Sequence, residues 1–122
     1  MTTFATTVMA HHQAALASWN ALVTSGGATA VTQPPESLKA SFDRLLSRVT
    51  NATSLARLAL QLEQTASDTY LSLIPVLQAK STITLAGQLQ VIDQEHAAIL
   101  HYLVGGYPIP DVFQNTNLAF SG

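Results

Sequence analysis

A chain of 122 residues is long enough for one domain with its own core and too short for two. Apolar residues make up 48% of it, which argues against disorder, while charged residues make up only 10%, so Thr, Ser, Gln and Asn must supply most of the polar surface. A net charge of −2 leaves no basic stripe for nucleic acid, and the lack of cysteine excludes disulfides, thiolate zinc sites and cysteine nucleophiles.

From residue 2 to about residue 25, Phe4, Val8, His11 or His12, Ala15, Trp19 and Leu22 recur at three and four residues, the period of one helix face. Gly26-Gly27 stops that helix, and a loop over 26–35 ends in Pro34-Pro35, a suitable opening for the next one. A short amphipathic helix follows with Leu38, Phe42, Leu45 and Val49 on one side and Lys39 and Asp43 at ion-pair spacing. Residues 51–54 read as a break or cap. A long helix then runs over about 55–77 through Leu55, Ala59, Leu62, Ala66, Thr69 and Leu73, with Pro75 kinking or ending it. Ser81 is the expected N-cap of the last helix, whose stripe is Leu85, Leu89, Ile92, His96, Ile99 and Leu103. Gly105-Gly106 caps it, and Pro108 and Pro110 keep the chain from resuming a helix. Residues 107–122 read as an extended tail packed through Tyr107, Ile109, Val112 and Phe113. No apolar run approaches the roughly 18–20 residues of a membrane span. Met1-Thr-Thr-Phe lacks a basic n-region, so no signal peptide is expected there. The chain reads as cytoplasmic, or as a mature or trimmed piece of a longer precursor.

The polar residues that stand out are the histidines and the acids beside them. On a helical wheel His96 falls near the middle of the last helix's apolar stripe, and Asp93 lies at its edge one turn earlier. Glu63 sits at the corresponding edge of the preceding long helix, His11 and His12 flank the face of the first, and His101 points away as a solvated residue. A buried imidazole needs partners for its ring nitrogens, which Asp93 and Glu63 could supply. Such a trio is either a structural Glu–His–Asp cluster or a metal site, and the pattern alone does not separate the two. The paired glycines are helix stops with no strand before them, so no dinucleotide or phosphate fingerprint is present.

Three segments carry a family resemblance. Leu62-Glu63-Gln64-Thr65-Ala66-Ser67-Asp68-Thr69-Tyr70 and Ile92-Asp93-Gln94-Glu95-His96-Ala97-Ala98-Ile99-Leu100 resemble paired helices of the ferritin-like domain family, particularly bacterial and often exported members. The run from Phe4 to Ala15 is similar to that family's second helix, and Pro108-x-Pro110-Asp111-x-Phe113 to its tail. The resemblance implies an all-α, ferritin-like bundle of three long helices over residues 1–106, with a short helix in the crossover. A tail over 107–122 would pack on it or extend from it. It leaves the family's first helix without a counterpart in this chain.

The family's two-metal centre takes a carboxylate from each of two helices and a Glu-x-x-His motif from each of the other two. Carried over, Glu63 matches the lone carboxylate of the third helix, Asp93 and His96 the acid and histidine of the fourth, and His12 the histidine of the second. Met9 stands where the second helix would offer a carboxylate, and a thioether suits hard iron or manganese poorly. The expectation is therefore a degenerate metal site in a non-catalytic structural or interaction module without a cofactor. The alternative is an iron- or manganese-binding or oxidase protein using His12, Glu63, Asp93 and His96. A homo-oligomer, or a partner helix in the place of the missing one, is expected to cover the apolar faces left open. The resemblance points to an extracytoplasmic or cell-surface location.

Overall fold

The computed structural model describes residues 2–121, and among these the ordered structure is entirely helical. The helices are α1 (Thr2–Ser25), α2 (Glu36–Leu46), α3 (Ala52–Leu73) and α4 (Lys80–Leu103), three long and one short as the periodicity predicts. The chain divides into two compact units, Met1–Pro34 and Pro35–Gly122.

The first unit is α1 with its following loop. Phe4, Val8, Ala15, Trp19 and Leu22, the apolar stripe read from the sequence, are half-buried, as are Asn20 and Val23. Gly27 ends the helix at a φ of 83°, a region where a side chain would be strained. The Ala28 N–H then bonds back to the carbonyl of Val23 at 3.1 Å. The Asn20 side chain clips the loop to the helix, donating to the Val31 carbonyl at 2.9 Å and accepting from the Val31 N–H at 2.8 Å.

In the second unit, α2 lies alongside the beginning of α3, and Lys39 and Asp43 form the expected surface ion pair at 2.8 Å. Phe42, expected on the covered side of α2, stays 37% exposed. Asn51 is the N-cap of α3, its side chain accepting from the Ser54 N–H at 2.9 Å while the Ser54 hydroxyl accepts from the Asn51 N–H at 3.0 Å. This reciprocal box satisfies two amides that would otherwise lack partners. The helix stops at Leu73, short of residue 77, because Pro75 has no amide to continue the ladder. The start of α4 departs from expectation. Ser81 lies inside the helix, and the residue before it is Ala79, extended and without a side-chain cap; the Thr82 hydroxyl donates to the Ala79 carbonyl at 2.7 Å.

α3 and α4 run antiparallel, since residue 63 meets 96, 67 meets 90 and 94, and 64 meets 101. The face of α4 that is buried is rotated by about one position from the predicted stripe. It comprises Ala86, Asp93, His96, Ala97 and Leu100, while Ile99 and Leu103 stand 46% and 44% exposed. α3 buries Ala56, Leu58, Glu63, Ser67 and Asp68. Small and polar residues therefore predominate among the buried positions, with Leu58 and Leu100 the large apolar side chains among them.

The tail is held by its own main chain. The Leu118 N–H donates to Asp68 Oδ2 at 2.9 Å and the Phe120 N–H to Thr69 Oγ1 at 2.8 Å. The anchors expected from the sequence are largely exposed: Tyr107, Ile109, Val112 and Phe113 lie early in the tail, and the attachment comes later.

Asn51→Ala removes the capping box and should lower stability by about 1 kcal/mol in urea unfolding. Ser81→Ala, at a position that caps nothing, should fall within about 0.5 kcal/mol of the unaltered protein.

Candidate metal centre

Helical spacing brings the chemistry together within the second unit. Glu63 and Ser67 are four residues apart on α3, and Asp93, His96 and Ala97 form a patch on α4, so the two sets oppose each other across the seam. Glu63, Asp93 and His96 are buried, at 5%, 3% and 4% exposure. Each offers a ligand atom such that all lie within 4.8 Å of one another. Asp93, read from the sequence as a stripe-edge residue, is thus in the seam itself.

His96 Nδ1 and Glu63 Oε2 are 3.1 Å apart. A carboxylate only accepts, so with Glu63 ionised Nδ1 carries the hydrogen, and in the neutral ring Nε2 then carries the lone pair. This is the arrangement in which a carboxylate sets the tautomer of a metal-binding imidazole. Two carboxylates this close repel each other in a low-dielectric seam, and a divalent cation would offset that repulsion.

The site continues into a hydrogen-bonded node absent from the sequence reading. Ser67, fully buried, accepts from Gln94 Nε2 at 2.7 Å and from Gln90 Nε2 at 3.1 Å, and its hydroxyl donates to the Gln90 carbonyl at 3.4 Å. That uses the hydroxyl's one donor and both acceptor positions. The available signal was the spacing, since Ser67 follows Glu63 by one helical turn. His101 also corrects an expectation. It is half-buried, with its Nε2 3.2 Å from Gln64 Nε2. Gln64 is the donor, so that ring nitrogen accepts. His12 and Met9 stand exposed on α1 in the first unit.

Carboxylate and imidazole donors suit iron, manganese or zinc. The three donors of this unit carry two negative charges when the acids are ionised, enough to neutralise one divalent ion and not two. A helical chain burying such a set has the donor chemistry of a bundle metalloprotein. The profile of the ferritin-like domain matches residues 1–106, and the chain belongs to that family. Comparisons with curated proteins and with solved structures give no match. No helix among the described residues is long and apolar enough to cross a membrane.

His96→Ala removes the imidazole from a buried carboxylate and leaves a void in the seam. It should destabilise the metal-free protein by about 3 kcal/mol in urea unfolding. Glu63→Gln, which keeps an acceptor for Nδ1–H, should cost less than half as much.

Proposed function

We propose that this ferritin-like domain binds a single divalent transition metal, iron or manganese, as a structural element of a non-catalytic interaction module. The observation that carries this reading is the burial of Glu63, Asp93 and His96 with ligand atoms within 4.8 Å of one another. His12 is proposed as the fourth donor, on the family resemblance. Such an ion would supply positive charge between two carboxylates, and a redox-active one would add one-electron chemistry. Glu63 would orient His96, and Ser67 with its two glutamines would hold the neighbouring turns of α3 and α4 in register.

The same residues support a second reading, a metal-free bundle in which the Glu63–His96 hydrogen bond is the end in itself. Metal content by mass spectrometry separates the two. Protein expressed with added iron and manganese, and purified without chelators, should carry about one ion per chain, lost in His96→Ala. Metal well below stoichiometry in both proteins would overturn the metal reading and leave the structural one. Bound metal should also raise the melting temperature, with about 2.7 kcal/mol of added stability when free metal is one hundred times its dissociation constant.

The module is further proposed to self-associate and to work outside the cytoplasm. Self-association is supported by Val91, Ile99 and Leu103 of α4, each more than 40% exposed. The location rests on the resemblance to exported members alone. Sedimentation equilibrium at micromolar concentration should show a dimer or larger species; a monomer with native-like melting would overturn the oligomer.

A further inference from the structure

A cleft of about 380 Å³ lies where α3 and α4 meet the tail and takes in none of the candidate metal ligands. It would hold about a dozen waters at ~30 Å³ each, the size of a small organic ligand. Side-chain amides and carboxylates set its hydrogen-bonding character. Gln90 and Gln94 both direct Nε2 to Ser67, and Gln64 directs Nε2 to His101. Each amide nitrogen spends one of its two hydrogens on the protein, and these three lining residues offer a ligand their carbonyl oxygens beside the remaining N–H.

The charge of the lining is acidic, with His101 its one basic-type side chain. Asp68, Glu95 and Asp111 line the cleft, and no lysine or arginine does. Asp68 is 5% exposed, and among the described residues its hydrogen bond is the one accepted from the Leu118 N–H, with no basic side chain paired to it. Glu95 and Asp111 are exposed, so negative charge stands both at the floor and at the rim. Val91, Ala98 and Ile109 supply apolar wall.

We propose that this cleft binds a small aliphatic diamine. One ammonium group sits at Asp68 and the glutamine carbonyl oxygens, the methylene chain lies along Val91, Ala98 and Ile109, and the second ammonium meets Glu95 and Asp111. An ammonium offers three donors and no acceptor, the complement of the carboxylates and amide oxygens of this lining. A burial site for a charge is favourable when an opposite charge and hydrogen bonds meet it there.

Isothermal titration of the full chain with 1,5-diaminopentane at low salt tests the assignment, with 1,5-pentanediol and calcium chloride as comparison ligands. The expected result is saturable one-site binding of the diamine with a dissociation constant below about 1 mM, and no comparable binding of the diol. Asp68→Asn keeps an acceptor for the Leu118 N–H while removing the charge, and should weaken binding about tenfold. Glu95→Gln, on the exposed rim where folding is not at stake, should weaken it severalfold, and Asp43→Asn on α2 should leave it unchanged. Absence of saturable heat with the diamine would overturn the proposal. So would equal binding of the diol, displacement of the diamine by stoichiometric calcium, or an Asp43→Asn effect as large as that of Asp68→Asn.

Discussion

α3 and α4 are joined by polar side chains that satisfy one another across a seam lined by small residues. Alanines at 56, 86 and 97 keep the local bulk low, and Glu63–His96 and the Ser67 node occupy the space between the helices. A typical internal hydrogen bond adds only about 0.5–1.5 kcal/mol net, yet leaving a buried polar group unmatched costs about 1–3 kcal/mol. The seam is therefore more a selector of register than a store of stability. Sliding α4 by one turn would separate His96 from Glu63 and leave Ser67 only one of its two glutamines. Glu63, Asp93 and His96 are among the buried residues that set this register.

That seam also explains which features were legible beforehand. The helices were visible because their apolar periodicity, glycine stops and prolines act locally; Gly27, Gly105 and Pro75 punctuate the chain as their backbone chemistry requires. Glu63, Asp93 and His96 were legible through their wheel positions and the family motifs. What escaped was the rotation of the α4 contact toward Asp93 and Ala97. A hydrophobicity pattern ranks Leu85 and Ile99 above alanine and aspartate, whereas close helix approach favours small side chains and hydrogen bonds between them. Ser67 escaped for the same reason, since a serine on a helix looks like surface until two glutamines from another helix converge on it. Ser81 was misread because a capping residue is recognised by type, while the position of the first helical turn depends on the short connection after Pro75.

The rotation has a second effect. With the α3–α4 contact made mostly by small and polar groups, Leu100 is the one large aliphatic side chain of α4 that is buried, and Val91, Ile99 and Leu103 are open to solvent. In a chain with so few charged residues, that apolar surface is diluted by Thr, Gln and Ser more than by Lys or Glu. Charge repulsion thus does little to oppose association, and a net charge of −2 is small for the surface it must keep dispersed.

The tail's attachment to α3 runs from main-chain amides at Leu118 and Phe120 to the side chains of Asp68 and Thr69. Every amino acid except proline presents that amide, so this fastening reads spacing along the backbone and is blind to the side chains at those two positions. The tail's sequence can drift while its docking persists, provided the number of residues between Gly106 and Leu118 is kept. Insertions and deletions there, and proline at 118 or 120, are the changes that would undo the fastening.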